Sequence, residues 1–169
     1  NPRYMGTIFI LGEKMSEYKE KKTVAVSGGM DPIHIGHVRM ILDAAKDGDV
    51  IVILNSDEWL KEKKGYAFMT WEERAEIISA IRGVKMVVST QEEEDNSVCN
   101  TLRFLKKEYD LDYFANGGDR IYTTTPEMKV CEEIGVEMLW NVGGGKIQSS
   151  STLVNKSTWG KRRYNGIDI

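Results

Sequence analysis

The two histidines of this chain, His34 and His37, lie three residues apart in the run SGGMDPIHIGHVRM, Ser27 to Met40. Residues at this spacing share one face of a helix, and Gly36 between them lets a ligand approach the backbone. Two imidazole donors beside the free N–H groups of a helix start suit phosphate oxygens. We therefore predict a phosphate site here, against the alternative of two surface or capping histidines.

A zinc site is the other chemistry that paired histidines suggest. Zinc requires three or four protein ligands. The chain has no third histidine, and Cys99 and Cys131 are far from this run and from each other in sequence. We predict no metal ligands in the protein, and free or buried thiols at both cysteines, with a disulfide or metal site as the minority alternative.

The elements that must position these histidines follow from alternating patterns along the chain. Short β-rich runs occur at 23–27, 49–55, 84–89, 111–116 and 136–141, with helical patterns between them. This alternation predicts an α/β protein with a three-layer Rossmann-like fold and a parallel sheet of about five strands. Ligands of such sheets bind at the carboxyl ends of the strands, which is where the histidine run begins.

Local signals set the expected boundaries of helices and domains. Thr70 with Glu73 predicts a capping box at one helix start, and Gly48 predicts the end of the first helix. We expect an N-terminal extension over 1–22, a tag or an added strand, and a single domain over 23–156. The remainder, 157–169, is expected to be a polar, irregular tail.

Cationic and hydroxyl side chains follow the later strands. Lys61, Lys63 and Lys64 crowd a predicted loop after the second strand, and we expect Lys61 and Lys63 to contact phosphates rather than only solvent. The segment GGGKIQSSSTLV after the fifth strand predicts a loop that leads into a hydroxyl-rich helix start. N-capping alone is the alternative for those hydroxyls. The three serines concerned are Ser149, Ser150 and Ser151.

Two glycines also follow the fourth strand, in the segment NGGDR that contains Gly117, Gly118 and Asp119. Paired glycines allow the backbone to meet a base or a sugar, and the carboxylate could hold an amino or hydroxyl group. A plain β-turn is the alternative for this segment. Binding residues are thus expected after four of the five predicted strands.

The HIGH run after a glycine-rich turn with Asp31 resembles the HxGH signature of the cytidylyltransferase-like nucleotidyltransferases. This superfamily includes cytidylyltransferases for glycerol-3-phosphate and choline-phosphate, and adenylyltransferases for heptose-phosphate and phosphopantetheine. The resemblance spans Thr23 to about Lys156 and implies catalytic roles for His34, His37, Lys61 and Lys63. The nucleotide-binding residues that it implies are Ser27, Gly28, Gly29, Met30, Asp31, Gly36, Arg74, Gly117, Gly118, Asp119, Ser149, Ser150 and Ser151.

Several positions bear on the choice of nucleotide. NGGDR resembles the GGD of heptose-phosphate adenylyltransferases more than the GDD of glycerol-3-phosphate cytidylyltransferases. Val154 stands where many members carry Arg or Lys, and GGGK replaces their RTEG, so that Lys146 or Lys156 would supply the missing charge. Arg74 matches an arginine that lies near the ligands in the family, with a surface salt bridge as its alternative. CTP and ATP both stay open as the donor.

The resemblance implies transfer of CMP or AMP from CTP or ATP to a phosphorylated small acceptor, a sugar, polyol or alcohol phosphate, with release of pyrophosphate. Mg²⁺ is expected to accompany the triphosphate. A catalytically silent nucleotide-binding or regulatory domain of the same fold is the alternative. The net charge of -3 and the lack of a long apolar run predict no nucleic-acid or membrane partner. We further expect a cytoplasmic homodimer.

Overall fold

In the computed structural model, the structure describes residues 8–10, 21–118 and 124–164, with the backbone alone at 8–10 and 158–164. The described strands are β1 (Ile8–Ile10), β2 (Thr23–Gly28), β3 (Asp49–Leu54), β4 (Val84–Ser89), β5 (Tyr113–Gly117) and β6 (Glu137–Val142). They form one sheet with the order β1-β4-β3-β2-β5-β6. Strand β1 pairs antiparallel with β4, and the other five strands are parallel, which confirms the predicted parallel sheet.

Helices cover both faces of this sheet. The helical residues Ile41 and Ile78 belong to the core on one face, whereas Leu102 and Cys131 belong to the core on the other. The molecule therefore has the three layers that the sequence predicts. The helices are α1 (Ile35–Ala44), α2 (Asp57–Lys64), α3 (Trp71–Ser79), α4 (Cys99–Tyr109), α5 (Pro126–Ile134) and α6 (Ser150–Tyr164).

The two central strands are the most deeply buried part of the sheet. Val24 to Val26 of β2 and Val50 to Leu54 of β3 are fully buried. Continuous apolar runs are typical of parallel strands that helices cover on both faces. Burying each such side chain contributes about 1.5–3 kcal/mol, so these strands hold the carboxyl edge of the sheet rigidly.

Three local predictions need correction. Helix α1 ends at Ala44 with Ala45 as its C-cap, four residues before Gly48. A Cβ on Gly48 would overlap the carbonyl oxygen of Lys22, so this glycine permits close passage of the chain into β3. The predicted lysine-rich loop is helix α2, which ends at Gly65 in the left-handed conformation. The predicted irregular tail is helical to Tyr164.

The predicted N-cap of α3 is confirmed, but the contacts of the described residues form only one half of the predicted capping box. Thr70 is the N-cap, and its hydroxyl oxygen accepts a hydrogen bond from the Glu73 N–H at 3.3 Å. None of the described helices is long and apolar enough to span a bilayer.

The order of the parallel strands reverses between β2 and β5. From β2 the chain proceeds through β3 to β4 on one side of the sheet, and later through β5 to β6 on the other. Such a reversal leaves a crevice outside the carboxyl ends of the two neighbouring strands. The histidine run follows β2, so it lies at this crevice.

Candidate active site

His34 and His37 form an interlocked pair at the start of α1. His34 is the N-cap, and its Nδ1 accepts a hydrogen bond from the Gly36 N–H at 3.1 Å. The Nδ1 atom of His37 accepts one from the His34 N–H at 3.2 Å. The rings stack with their centroids 3.8 Å apart and an interplanar angle of 27°. The two histidines therefore do cap the helix, as the alternative prediction had it, but only through their Nδ1 atoms. The Nε2 atoms take no part in capping.

The protonation of both rings follows from these contacts. A neutral imidazole whose Nδ1 accepts a hydrogen bond carries its proton on Nε2. Burial, then His34 and Lys64, lower the pKa of His37 to about 4. Burial and then Lys146 lower the pKa of His34. Near pH 7 the pair therefore presents neutral Nε2–H donors.

A cavity of about 200 Å³ opens beside His34, between the segments that follow β2, β5 and β6. Glycines form much of its wall because backbone segments approach one another closely there. A Cβ on Gly118 would overlap the carbonyl oxygen of Gly144, and one on Gly143 would lie 2.7 Å from the Met40 Cα. The lining residues are His34, Gly36, Met40, Gly117, Gly118, Val142, Gly143, Gly144, Gly145, Lys146 and Ile147.

The serines at the start of α6 hold different positions. The Ser149 oxygen accepts from the Thr152 N–H at 3.1 Å, as an N-cap does. The Ser150 hydroxyl donates to the Pro32 carbonyl at 2.8 Å and so ties α6 to the histidine turn. Ser151 is exposed. The helix start is thus anchored beside the histidines, and the binding of phosphate by its hydroxyl groups stays a prediction.

A buried carboxylate organises the segment between α2 and α3. Asp31 is 1% exposed and accepts from the N–H groups of Phe68 at 2.6 Å and Met69 at 2.7 Å. Lys64 pairs with this carboxylate at 3.3 Å and also donates to the Asp31 carbonyl. These contacts bring a cation from the end of α2 to the histidine turn.

Arg74 is completely buried and joins four segments. Its Nη1 donates to the carbonyls of Gly29 at 2.7 Å and Asn55 at 2.9 Å, and its Nε donates to Met69 at 3.1 Å. Its Nη2 pairs with Asp57 at 2.7 Å. Neither predicted role fits, because a guanidinium surrounded by these partners is neither on the surface nor open to a nucleotide. Arg74 positions the turns that carry the site.

The family model of the cytidylyltransferase-like proteins matches residues 25–154 of this chain. The chain belongs to the cytidylyltransferase-like family. The matched range contains the histidine turn, the glycine segments and the start of α6, so the predicted resemblance is confirmed. By this membership the chain is a nucleotidyltransferase.

Curated relatives of this family member include two proteins called bifunctional protein HldE. The one from Hydrogenovibrio crunogenus is 31% identical over 78% of this chain and 25% of its own length. The one from Syntrophotalea carbinolica is 31% identical over 84% of this chain and 26% of its own length. The chain thus spans about a quarter of the length of these two curated relatives.

A solved structure of the same fold is the lipopolysaccharide core biosynthesis protein from Thermoplasma volcanium GSS1. It superposes with a TM-score of 0.56 and 19% sequence identity, over 76% of this chain and 99% of its own. At this identity the likeness shows the fold alone.

The cytidylyltransferase-like chain differs from the sequence prediction at its lysines. Lys61 and Lys63 are exposed on α2, and the Lys63 Nζ lies 4.3 Å from the centroid of the Trp59 ring. Lys64 is the lysine of this run that contacts Asp31 and lowers the pKa of His37. A loop would have let any of the three approach a phosphate, whereas on a helix Lys63 lies on a different face from Lys61 and Lys64, which are three residues apart.

The turn after β2 also differs in detail from the prediction. Met30 has φ 48° and is 2% exposed, so its side chain packs in the core instead of reaching a nucleotide. A Cβ on Gly29 would lie 2.7 Å from the Leu60 Cδ2, so packing against α2 requires this glycine. Ser27 and Gly28 end β2 and keep their backbone at the carboxyl edge. Asp31 is buried, and its carboxylate contacts the loop at Phe68 and Met69 rather than the cavity beside His34.

Lys146 lines the same cavity as His34 and brings a positive charge to it. Of the two lysines predicted to supply the missing family charge, Lys146 lines the cavity, whereas Lys156 is exposed on α6 and does not. Sequence reasoning missed Met40 and Gly143 as parts of the site, and it favoured Lys61 and Lys63 over Lys64. The unusual glycine run after β6 was a signal for Gly143, but Met40 carried none. Asp119 lies outside the described residues.

Proposed function

We propose that this domain transfers a nucleoside monophosphate from a nucleoside triphosphate to a phosphorylated small acceptor and releases pyrophosphate. The observation that carries the proposal is the stacked pair His34 and His37. Capping uses only their Nδ1 atoms, so the Nε2–H donors stay available, and His34 lines a cavity whose wall is rich in glycine. The acceptor is a sugar, polyol or alcohol phosphate. A cytoplasmic homodimer stays a prediction.

In the proposed reaction an oxygen of the acceptor phosphate attacks the α-phosphorus of the triphosphate. A new P–O bond forms, the bond to the β-phosphate oxygen breaks, and pyrophosphate leaves with the electron pair. The nucleophile is already an anion, so no general base is required. Catalysis then rests on positioning and on donors aimed where negative charge develops. Neutral His34 and His37 act as such donors, and Lys64 and Lys146 supply positive charge nearby.

Magnesium would enter this site with the triphosphate. Among the residues that the structure describes, no group of three or more His, Cys, Asp or Glu side chains could hold a metal ion. Mg²⁺ is commonly bound through substrate phosphates and one or two carboxylates, so this setting suits an ion held largely by the nucleotide. When bound, it would neutralise charge on the phosphate chain.

ATP is the favoured donor. Two features support it: the GGD segment at Gly117 and Gly118, which resembles that of heptose-phosphate adenylyltransferases, and the similarity to bifunctional protein HldE. CTP is the other candidate, because the family also contains cytidylyltransferases.

A two-step experiment tests the proposal. The melting temperature of the full chain is first measured with ATP, CTP, GTP or UTP and magnesium. Saturation at a hundred times Kd adds about 2.7 kcal/mol to the free energy of unfolding. Pyrophosphate release is then measured with the stabilising nucleotide and a panel of phosphorylated sugars, polyols and alcohols. Stabilisation without pyrophosphate release from any acceptor would identify a silent nucleotide-binding domain instead.

A further inference from the structure

Asp43 lies near the end of α1, where a carboxylate does not favour the helix. The carboxyl end of a helix carries partial negative charge, so an acidic side chain in the last turn is unfavourable. Helix α1 ends at Ala44 and has no basic residue in that turn to offset the charge. Aspartate is also a poorer helix former than alanine. Local helix preferences therefore do not account for Asp43.

The Asp43 carboxylate contacts the glycine segment, residues 143–145, which follows β6. Its Oδ2 accepts a hydrogen bond from the Gly143 N–H at 2.8 Å, across 100 residues of sequence. Its Oδ1 accepts one from the ammonium of Lys46 at 3.0 Å, and that lysine is largely exposed. The contact with Gly143, and then that with Lys46, lowers the pKa of Asp43. A hydrogen bond to a charged carboxylate therefore joins the end of α1 to the glycine segment.

The glycine segment depends on such an anchor. Gly143 and Gly144 have φ values of 83° and 76°, and glycine loses more conformational freedom on ordering than any other residue. The pairing of β6 with β5 ends at Val142, so the sheet does not order the segment that follows. A Cβ on Gly143 would collide with the backbone of Met40, which shows that the segment lies directly against α1. The contacts of Gly143 therefore fix where the chain leaves the sheet.

Lys146 follows the glycine segment directly, and its position depends on the course of that segment. It lines the same cavity as His34. Burial and then the charge of Lys146 lower the pKa of His34. His34 caps the start of α1, and Asp43 lies near the end of the same helix. Helix α1 therefore fixes both His34 and the point from which the chain reaches Lys146.

We propose that Asp43 is a positioning residue: it holds the glycine segment against α1 and so places the charge of Lys146 beside His34, where the phosphates of the nucleotide bind. The proposal rests on the proposed function for the role of the nucleotide. Asp43 does not itself line the cavity, so it acts through Lys146 and not on a substrate.

The test follows the pKa of His34 by NMR titration of the full chain without nucleotide. The chain has two histidines, and His37→Gln identifies which of the two titrating rings is His34. Lys146→Met removes a cation and should raise the pKa of His34. Asp43→Ala should raise it by at least half as much, although the loss of a carboxylate can by its charge alone only lower the pKa of a histidine. The sign of the change therefore separates displacement of Lys146 from loss of charge.

Three further variants serve as controls. Asp43→Asn loses the charge but keeps an oxygen that can accept the Gly143 N–H, so it should not raise the pKa of His34. Asp47→Ala removes an exposed carboxylate just beyond the same end of α1 and should not raise it either. Asp43→Ala combined with Lys146→Met should give no further rise over Lys146→Met alone.

The affinity for the nucleotide gives a second readout. Calorimetry with magnesium and ATP or CTP, whichever binds, measures its Kd. Asp43→Ala should raise this Kd roughly three- to tenfold, the value of one hydrogen bond, whereas Asp47→Ala should leave it within about twofold.

The outcomes separate this proposal from the proposed function. Asp43→Ala is expected to fold because alanine is the better helix former, which circular dichroism checks; otherwise Asp43→Ser, with its shorter side chain, replaces it. The proposal is overturned if Asp43→Ala leaves the pKa of His34 unchanged or lowers it, if Lys146→Met does not raise that pKa, or if the rise persists in the double variant. An unchanged Kd of a nucleotide that the chain binds overturns it too. If the chain binds no nucleotide or turns over no acceptor, the proposed function fails, and the titration still decides whether Asp43 positions Lys146.

Discussion

His34 and His37 each use one ring nitrogen to shape the start of α1, and in the proposed reaction the other nitrogen donates to a phosphate. Their Nδ1 atoms accept backbone N–H groups, so each ring is oriented before any substrate arrives. Burial, then His34 and Lys64, lower the pKa of His37 to about 4, and burial and then Lys146 lower the pKa of His34, so both rings are neutral near pH 7. A pair of oriented neutral donors needs no reorganisation when charge develops on a phosphate, which is the condition for strong electrostatic catalysis.

His37→Ala should therefore lower kcat for pyrophosphate release by about a hundred- to a thousandfold, the cost of one preorganised donor. His37→Gln separates this effect from folding. A glutamine at this third helical position can accept the His34 N–H as in a capping box, so stability should return without full activity. The measurements are steady-state kinetics and urea unfolding. Turnover of His37→Ala close to that of the unchanged chain would remove His37 from catalysis.

At the scale of elements, Arg74 of α3 holds together the turn after β2, the end of β3 and the start of α2. It does so with carbonyls of three segments and with Asp57, which is 25% exposed. A buried cation of this kind is costly to bring out of water and strongly destabilising to remove, because its partners remain behind. The turn that leads to His34 begins in one of the segments that it joins.

Arg74→Lys should lower the free energy of unfolding by about 3 kcal/mol, because an ammonium cannot reproduce the fork of donors and leaves buried carbonyls unpaired. Arg103→Lys is the matched control. Arg103 pairs with Glu133 at 3.0 Å, with both side chains nearly half exposed, and such surface pairs contribute at most about 1 kcal/mol. Urea unfolding of both variants makes the comparison. Equal losses would mean that the contacts of Arg74 add nothing beyond a surface pair.

At the scale of the whole molecule, the sequence prediction succeeded where the signal is a regular local pattern. It failed where a role depends on contacts between residues distant along the chain. Short continuous apolar runs that alternate with helical patterns predicted five parallel strands, because burial of a strand on both faces leaves such a run directly in the sequence. The histidine pair was predictable because its spacing and its helix start are local. The role of Arg74 depends on carbonyls up to 45 residues away, and the contact of Lys64 with Asp31 spans 33 residues. No local pattern records such pairings.

The antiparallel strand β1 precedes the predicted domain of 23–156 in the sequence, and it covers the edge of β4. Ile8, Phe9 and Ile10 pair with Val88, Val87 and Met86. Without β1, the backbone donors and acceptors of that edge would face solvent and offer a template for another strand. A chain that begins at residue 21 should melt several degrees lower than the full chain, since about 1 kcal/mol corresponds to 2–4 °C at this size.

The same shortened chain should also associate more strongly than the full chain as its concentration rises. Calorimetric melting and light scattering over a concentration series measure the two effects. A chain that lacks only 165–169 serves as the control for truncation itself and is expected to match the full chain in both. Melting temperature and scattering equal to those of the full chain would mean that β1 neither stabilises the sheet nor protects its edge, and that the parallel strands suffice without it.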